Sequence, residues 1–447
     1  MRSRSLLTVI AVAAAVTAGA QDLTLGEAVA AAVGNSRELA AASARAAAAA
    51  SRVDASKSHR LPKLSLSESF IYTDNPAEVF ALSLNQERFD LQEFFLSDPN
   101  RPDPLSTWST RLDLELPVYT GGQLSARIGQ AESMATAEDH GLAFARERVA
   151  YETIAAYINL AKARDQVALL EKSRATTAEH LRFAEQYAAQ GMILEADVLR
   201  ARVYLSEVDD SLSQAASGAR LAQSALNFQM AADQQTPRSL APLPEPALIV
   251  GDLGELTSAA LEDRHDLLAA RLKLEAGRLE EKASRPGYFP EIAVVGHYGL
   301  YDDSIFGSNG GSGSVMAVAR IDLWGGGSGT AARAAARHEA AAFEADVDRF
   351  EEGVRLEVQQ AWLDLATARV RSESATASLA AAREGLRVRE SRFKQGLDRM
   401  IDLLDAETAL REAEMRELVA RYDVALHTYR LRFVSGATLT TVMEESR

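Results

Sequence analysis

The second half of this chain repeats the first at a fixed distance. Adding 205 to a position carries Tyr119 to Trp324 and Gly121-Gly122 to Gly326-Gly327 without a gap. The same shift lays AYINLAKAR (156–164) on AWLDLATAR (361–369), and QGMILEADVLRA (190–201) on QGLDRMIDLLDA (395–406). Upstream the distance becomes 228: Asn35 to Leu39 falls on Asp263 to Leu267, and Pro62 on Pro290. The difference gives the first copy 23 extra residues between its proline and its glycines, which must form a loop. A duplicated unit of this kind finishes its buried surface against its own repeat, so the fold is two matching halves.

Each copy reads in the same order. Asn35 with Glu38, and Asp263 with Asp266, have the spacing of a helix N-cap and its third-position carboxylate. After the proline the apolar period changes from helical to two. Leu112, Leu114, Leu116 and Val118 face one way, while Arg111, Asp113 and Glu115 face the other. In the second copy Ala317, Ala319, Ile321 and Leu323 repeat the apolar side. Strands are expected at about 64–73, 108–119, 291–301 and 314–324. Tyr72, Trp108, Tyr119, Tyr301 and Trp324 near their ends suit the aromatic girdles of a barrel in lipid. The glycines then open helical runs at about 122–189 and 327–394, proline-free and roughly 100 Å long at 1.5 Å per residue. Gly191 and Gly396 turn the chain back into shorter helices at about 195–230 and 400–436. Each return helix, added to the helix before its hairpin (about 26–59 or 255–285), matches one long helix.

The opening residues stand apart. Arg2 and Arg4, an apolar run from Leu6 to Val16 and Ala18-Gly19-Ala20 have the order of a cleaved secretory leader. Its removal takes the formal net charge from −15 to about −17, a sign that argues against nucleic-acid binding. The chain has no cysteine, so it is not a lipid-anchored lipoprotein and has no disulfides. Aromatic residues make up only 6 % and alanine is abundant, which favours close helix packing over a thick globular core. No later segment offers eighteen uninterrupted apolar residues, so a membrane would be crossed by strands. Four strands cannot close a barrel, which leaves eight strands from two chains or twelve from three; only the larger encloses an open lumen.

Together, the duplicated helix-hairpin-helix plan, the aromatic-x-Gly-Gly strand exits and the two helical tips resemble the TolC-like outer-membrane efflux proteins over the whole mature chain. The resemblance implies a mainly α fold with a small β part, in which a homotrimer builds a twelve-stranded outer-membrane barrel continued by a periplasmic α-helical tunnel. It implies the exit duct of a tripartite pump or type I secretion system in a Gram-negative-type cell. The implied partners are outer-membrane lipid, a periplasmic adaptor (membrane fusion) protein and, through it, an inner-membrane transporter of the RND, ABC or MFS type. The division expected is a leader over 1–20, repeats over 21–231 and 255–437, a proline-rich equatorial link over 232–254 and a tail over 438–447.

The same resemblance places a periplasmic constriction at Asp402 and Asp405, where rings of carboxylates would repel one another and raise their pKa values. Phe393 stands where relatives often carry a tyrosine, and Asp398 where they carry an arginine; Arg399 to Asp197 of a neighbouring hairpin is the replacement bridge expected. Adaptor docking falls on Gly191, Met192, Ile193 and Leu194, and on Gly396, Leu397 and Asp398. Gly121, Gly122, Gly326 and Gly327 are read as strand-to-helix transitions needing glycine φ values. A phosphate cradle is not supported, because no Gly-Lys-Ser/Thr follows. The seven histidines show no metal spacing, so neither a cofactor, a metal nor a catalytic residue is expected. The extra segment at about 74–106, with Phe80, Phe89, Phe94 and Phe95, packs over a barrel mouth or stands uncovered. The rival reading is a periplasmic coiled-coil scaffold or adaptor without a channel.

Overall fold

The structure, a computed structural model, describes residues 22–246, 249, 251–285 and 289–439. The expected leader and the tail from 440 onward lie outside them. In chain order the described elements are α1 (Leu25–Asn35), α2 (Arg37–Ser58), β1 (Lys63–Thr73), α3 (Pro76–Asn85), α4 (Leu91–Leu96), β2 (Leu105–Thr120), α5 (Gln123–Ala189), α6 (Glu195–Gln229), α7 (Leu253–Asp263), α8 (His265–Ala283), β3 (Glu291–Asp302), β4 (Gly310–Arg320), α9 (Ser328–Lys394) and α10 (Met400–Val434). The repeat is visible in the lengths: α5 and α9 each have 67 residues, α6 and α10 each 35.

The helix before each hairpin starts close to the expected position, at Leu25 and at Leu253, but it is broken in two and capped by other residues. Thr24 with Glu27 caps α1 and Asp252 with Glu255 caps α7, each by a reciprocal pair of side-chain-to-backbone bonds. Asn35 and Asp263, expected as caps, are instead the last residues of α1 and α7. Extended Ser36 and Arg264 break the helix after them, and the Ser36 hydroxyl accepts the Leu39 amide to start α2.

The chain divides into two compact units. One comprises Ala41–Phe144 and His265–Gly353 and contains an antiparallel sheet in the order β1-β2-β3-β4. Both hairpin connections lie at one end of this sheet, where Thr73 pairs with Leu105 and Tyr301 with Gly310; helices join the strands at the other end. The alternation sorts most side chains, with Glu68 and Asp302 as exceptions on the apolar side and Val295, Met316 and Val318 on the polar one. Leu64, Leu66, Phe70, Leu112, Tyr298 and Val315 share an apolar and exposed face. Ser65, Ser67, Arg111, Asp113, His297 and Ser314 share the polar one. Pro117 has no amide for the ladder, and a bulge between Pro117 and Tyr119 brings Tyr119 onto the apolar side.

Three strand-level expectations change. The fourth strand spans Gly310–Arg320 rather than 314–324, because Glu291 opposite Arg320 is the last partner β3 offers. Trp324 therefore lies beyond the strand. Tyr301 pairs with Ser109 on the polar face and is buried, so it does not belong to an apolar girdle. The extra segment is not a bare loop: Asn75 caps α3 with Pro76 at its first position, and α4 follows.

The other unit comprises the described residues up to Ala40, Ala145–Arg264 and Val354 onward. Ile154, Tyr157 and Ile158 of α5, Leu226 of α6, Val354 and Val358 of α9 and Leu431 of α10 are fully or almost fully buried. The Tyr157 hydroxyl lies 2.8 Å from the Leu23 carbonyl and 2.7 Å from that of Ala241. There Leu23 and Leu240 form a short parallel bridge. Burial raises the Tyr157 pKa to about 12, so this hydroxyl stays a donor at any physiological pH.

Candidate functional site

The two helical tips are built from one backbone plan. Gly191 donates to the Ala188 carbonyl and Met192 to that of Tyr187; Gly396 donates to Phe393 and Leu397 to Arg392, all at 2.9 Å. Both glycines have φ of 75°, the left-handed conformation that ends a helix. Beneath the turns, Ala184 of α5, Val198, Ala201, Tyr204 and Val208 of α6, and Met400, Leu403 and Leu404 of α10 form one buried cluster. Ile193 and Phe393 pack partly buried against it, and Phe393 lies edge-on to Tyr187 at 6.3 Å. Met192 and Leu194 remain exposed, as does Leu397.

Two acidic residues of the second tip, Asp398 and Asp402, are engaged by arginine. Asp398, almost wholly covered, accepts from Arg392 Nε at 2.9 Å and Arg389 Nη1 at 3.1 Å. Asp402 accepts the Arg399 amide at 3.2 Å and its Nε at 3.3 Å, which covers one free amide at the start of α10. These bonds, led by Arg392 for Asp398 and by Arg399 for Asp402, hold both carboxyls below the ordinary aspartate range. Within the chain, Asp402 thus moves opposite to the rise expected of a repelling ring, because its nearest charge is a cation. Asp405 is exposed, and Asp197 pairs with Arg200 at 3.6 Å. A bridge from Arg399 to Asp197 of another copy would displace two existing pairs.

The structure adds a buried polar cluster that sequence reasoning missed. His180 of α5 contacts Glu407 of α10, both largely covered, and the Arg411 guanidinium stacks on the Tyr204 ring at 5.0 Å. A cleft of about 340 Å³ opens beside His180, walled by Phe183, Tyr187, Phe393 and Met400. Burial alone would lower the His180 pKa. The hydrogen bond to Glu407 and the charges of Glu407, Glu390 and Glu179 outweigh it, so the net shift is upward. The missed signal is a failure of the repeat: a shift of 205 puts Gly385 at the place of His180, Ala409 at that of Tyr204 and Arg202 at that of Glu407.

At the strand exits, Gly121 and Gly326 have φ of 61° and 65°, and Gly122 and Gly327 both have 83°. The two glycine pairs are thus one backbone conformation used twice. A Cβ on Gly121 would also come within 2.9 Å of Phe289. Among the described residues, no group of three acidic, histidine or cysteine side chains is placed to hold a metal, and no helix is long and apolar enough to cross a membrane.

The profile of the outer membrane efflux protein family matches residues 28–231 and 256–437. The outer membrane efflux protein BepC of Brucella suis is 23 % identical over 344 residues, which cover 75 % of this chain and 73 % of BepC. The outer membrane protein OprJ of Pseudomonas aeruginosa is 26 % identical over 329 residues, covering 70 % and 66 %. A crystal structure of a membrane protein from Pseudomonas aeruginosa superposes with a TM-score of 0.81 at 21 % identity, covering 92 % of this chain and 93 % of that one. The CusC structure does so with a TM-score of 0.80 at 17 % identity, covering 94 % and 93 %. The family is one of trimeric, non-enzymatic channels. With a duplicated helical framework, one amphipathic four-stranded sheet and a match spanning both repeats, this chain belongs to the outer membrane efflux protein (TolC) family and is an outer-membrane efflux channel.

Proposed function

We propose that three copies close one twelve-stranded barrel, and that the assembled channel is the passive exit duct of a tripartite efflux pump or type I secretion system. The observation that carries this is the sheet: its β1 and β4 edges have no strand partner among the described residues, while its apolar face is exposed. Open edges are not tolerated in hydrocarbon, so other copies must supply the partners. Twelve strands enclose a lumen, and the polar face lines it.

The tips are the gate and the docking site in this reading. Asp402 and Asp405 of three copies form the constriction, with Asp197, Arg399 and Phe393 around it; Asp398 holds the second turn in shape. Exposed Met192, Leu194 and Leu397, presented by Gly191 and Gly396 with Ile193 behind them, suit an apolar contact with a periplasmic adaptor. An inner-membrane transporter engaged through that adaptor opens the tip. The equatorial link over 232–254 lies between the two repeats and is stitched to the chain start through Leu240.

The test is planar-bilayer conductance with the mass of the detergent-solubilised protein measured alongside. The expected result is a three-chain particle giving small cation-selective currents, with Asp402→Ala/Asp405→Ala enlarging the current or abolishing selectivity. A two-chain particle, or mutant currents identical to wild type, refutes the trimer or the acidic gate respectively.

A further inference from the structure

The segment between β1 and β2 is fastened to one particular face of the sheet. The Gln86 side chain, at the end of α3, is fully buried and donates through Nε2 to Thr107 Oγ1 at 2.7 Å and to the Ser106 carbonyl at 3.2 Å. Thr107 lies on the same side of β2 as Ser109, Arg111 and Asp113, the polar side. The backbone follows the side chain: a Cβ on Gly310 would stand 1.9 Å from the Asn85 carbonyl oxygen, so the segment reaches across to the start of β4. Arg88 completes the attachment with an ion pair to Asp303 at 3.0 Å. Thr107, Ser109, Tyr301 and Gly310, all on the polar face at its hairpin end, are buried in consequence. On the apolar face the β3–β4 turn reaches over the same end, where the Phe306 amide donates to Glu68 at 3.4 Å, but Leu66, Phe70 and Tyr72 stay exposed.

The segment is stiff enough to keep this position. Phe80, Phe89 and Phe94 form a closed triangle with ring centroids 5.2 to 5.6 Å apart, a small core of its own. Glu87 turns the chain between the helices with φ of 56°, an uncommon conformation that tertiary contacts must hold. Phe95 and Leu96, at the end of α4, are left 77 % and 89 % exposed.

We propose that residues 74–104 form an inward collar that narrows the channel at its outer mouth. The inference rests on the barrel reading above, in which the polar face lines the lumen and the hairpin ends lie away from the helices. An apolar pair raised on the lumen side has no lipid to enter and is costly in water. Its occupant is the Phe95-Leu96 pair of the other copies, meeting around the threefold axis. The channel then has a restriction at its outer end in addition to one at its helical tips, and large solutes outside are excluded independently of the state of the tips.

The natural absence of cysteine makes the test direct. Ser314→Cys places one thiol on the polar face of β4, and a bulky, membrane-impermeant polyethylene-glycol maleimide is applied from outside to cells carrying the channel. Replacing residues 76–103 by a short Gly-Ser turn is expected to speed this labelling severalfold; an unchanged rate overturns the collar. Leu96→Cys in the intact chain needs no deletion and guards against misfolding. Oxidation is expected to join copies into a dimer band on denaturing gels, and its absence overturns the meeting of the copies. Wild-type conductance is recorded first: a protein that inserts no conducting pores fails as a channel, whereas one that conducts normally but shows no collar effect fails only here.

Discussion

The α5–α6 tip and the α9–α10 tip carry the same turn glycine, the same φ and the same pair of turn hydrogen bonds, yet their chemistry is opposite. The first presents Met192, Ile193 and Leu194, and its helix α6 starts at Leu194 without a side-chain cap. The second presents Leu397, Asp398 and Arg399, with four arginine contacts to two carboxylates. Duplication preserved what the backbone needs and released the side chains. One tip exposes apolar side chains; the other is closed by ion pairs.

Gly191→Val and Gly396→Val test the shared part most severely. A β-branched residue at φ of 75° costs about 2 kcal/mol, and the two losses should be nearly equal in denaturant unfolding, since neither position has a neighbour within 4 Å to add a clash. Unequal losses would break the backbone equivalence.

Asp398→Ala should separate the tips. It leaves Arg389 and Arg392 facing each other, so limited proteolysis is expected to cut the α9–α10 turn severalfold faster while the α5–α6 turn keeps its wild-type rate. High salt should mimic the mutation in part. Because the Asp398 pKa is lowered, this contribution is present above the ordinary aspartate pKa and disappears as pH falls through the lower folded value, so these ion pairs hold at neutral pH and loosen only in strong acid.

His180 gives the reverse slope. Its folded pKa is raised, so its contribution is complete below the unfolded value near 6.5 and is lost as pH climbs through the higher folded value. Thermal unfolding of the wild type should therefore show a decline as pH rises above the unfolded value near 6.5, which His180→Gln removes. The same variant should leave the acid side, set by lowered carboxyls such as Asp398 and Asp402, unchanged. The smallest effect on stability belongs to Met192→Ser, exposed and expected to change unfolding by no more than about 0.5 kcal/mol. Its consequence should appear as weaker capture of the cognate adaptor in pull-down.

What the sequence disclosed follows the same division. The long helices were legible because proline-free apolar spacing runs uninterrupted from one glycine to the next, and those glycines have the φ values their placement required. The lower end of β4 was not, since Ile321 and Leu323 continue the alternation past the point where β3 has any residue left to pair. Ser36 and Arg264 break their helices through backbone angles that no local composition announces. The His180–Glu407 contact depends on two helices separated by more than two hundred residues lying side by side, and the repeat concealed it because only one copy has it. The Asn75-Pro76 signal for α3 was present, but a segment without a counterpart in the other half offered no periodicity against which to judge it.

The bridge between Leu23 and Leu240, closed over the Tyr157 hydroxyl, also sets an order of events. A chain exported from its amino end delivers Leu23 early and its partner only after more than half the polypeptide has crossed. Until then Leu25, Ala28, Val29 and Ala32, which are buried in the finished molecule, have no place to go. The stretch from Leu23 to Ala32 is therefore among the last parts to be settled.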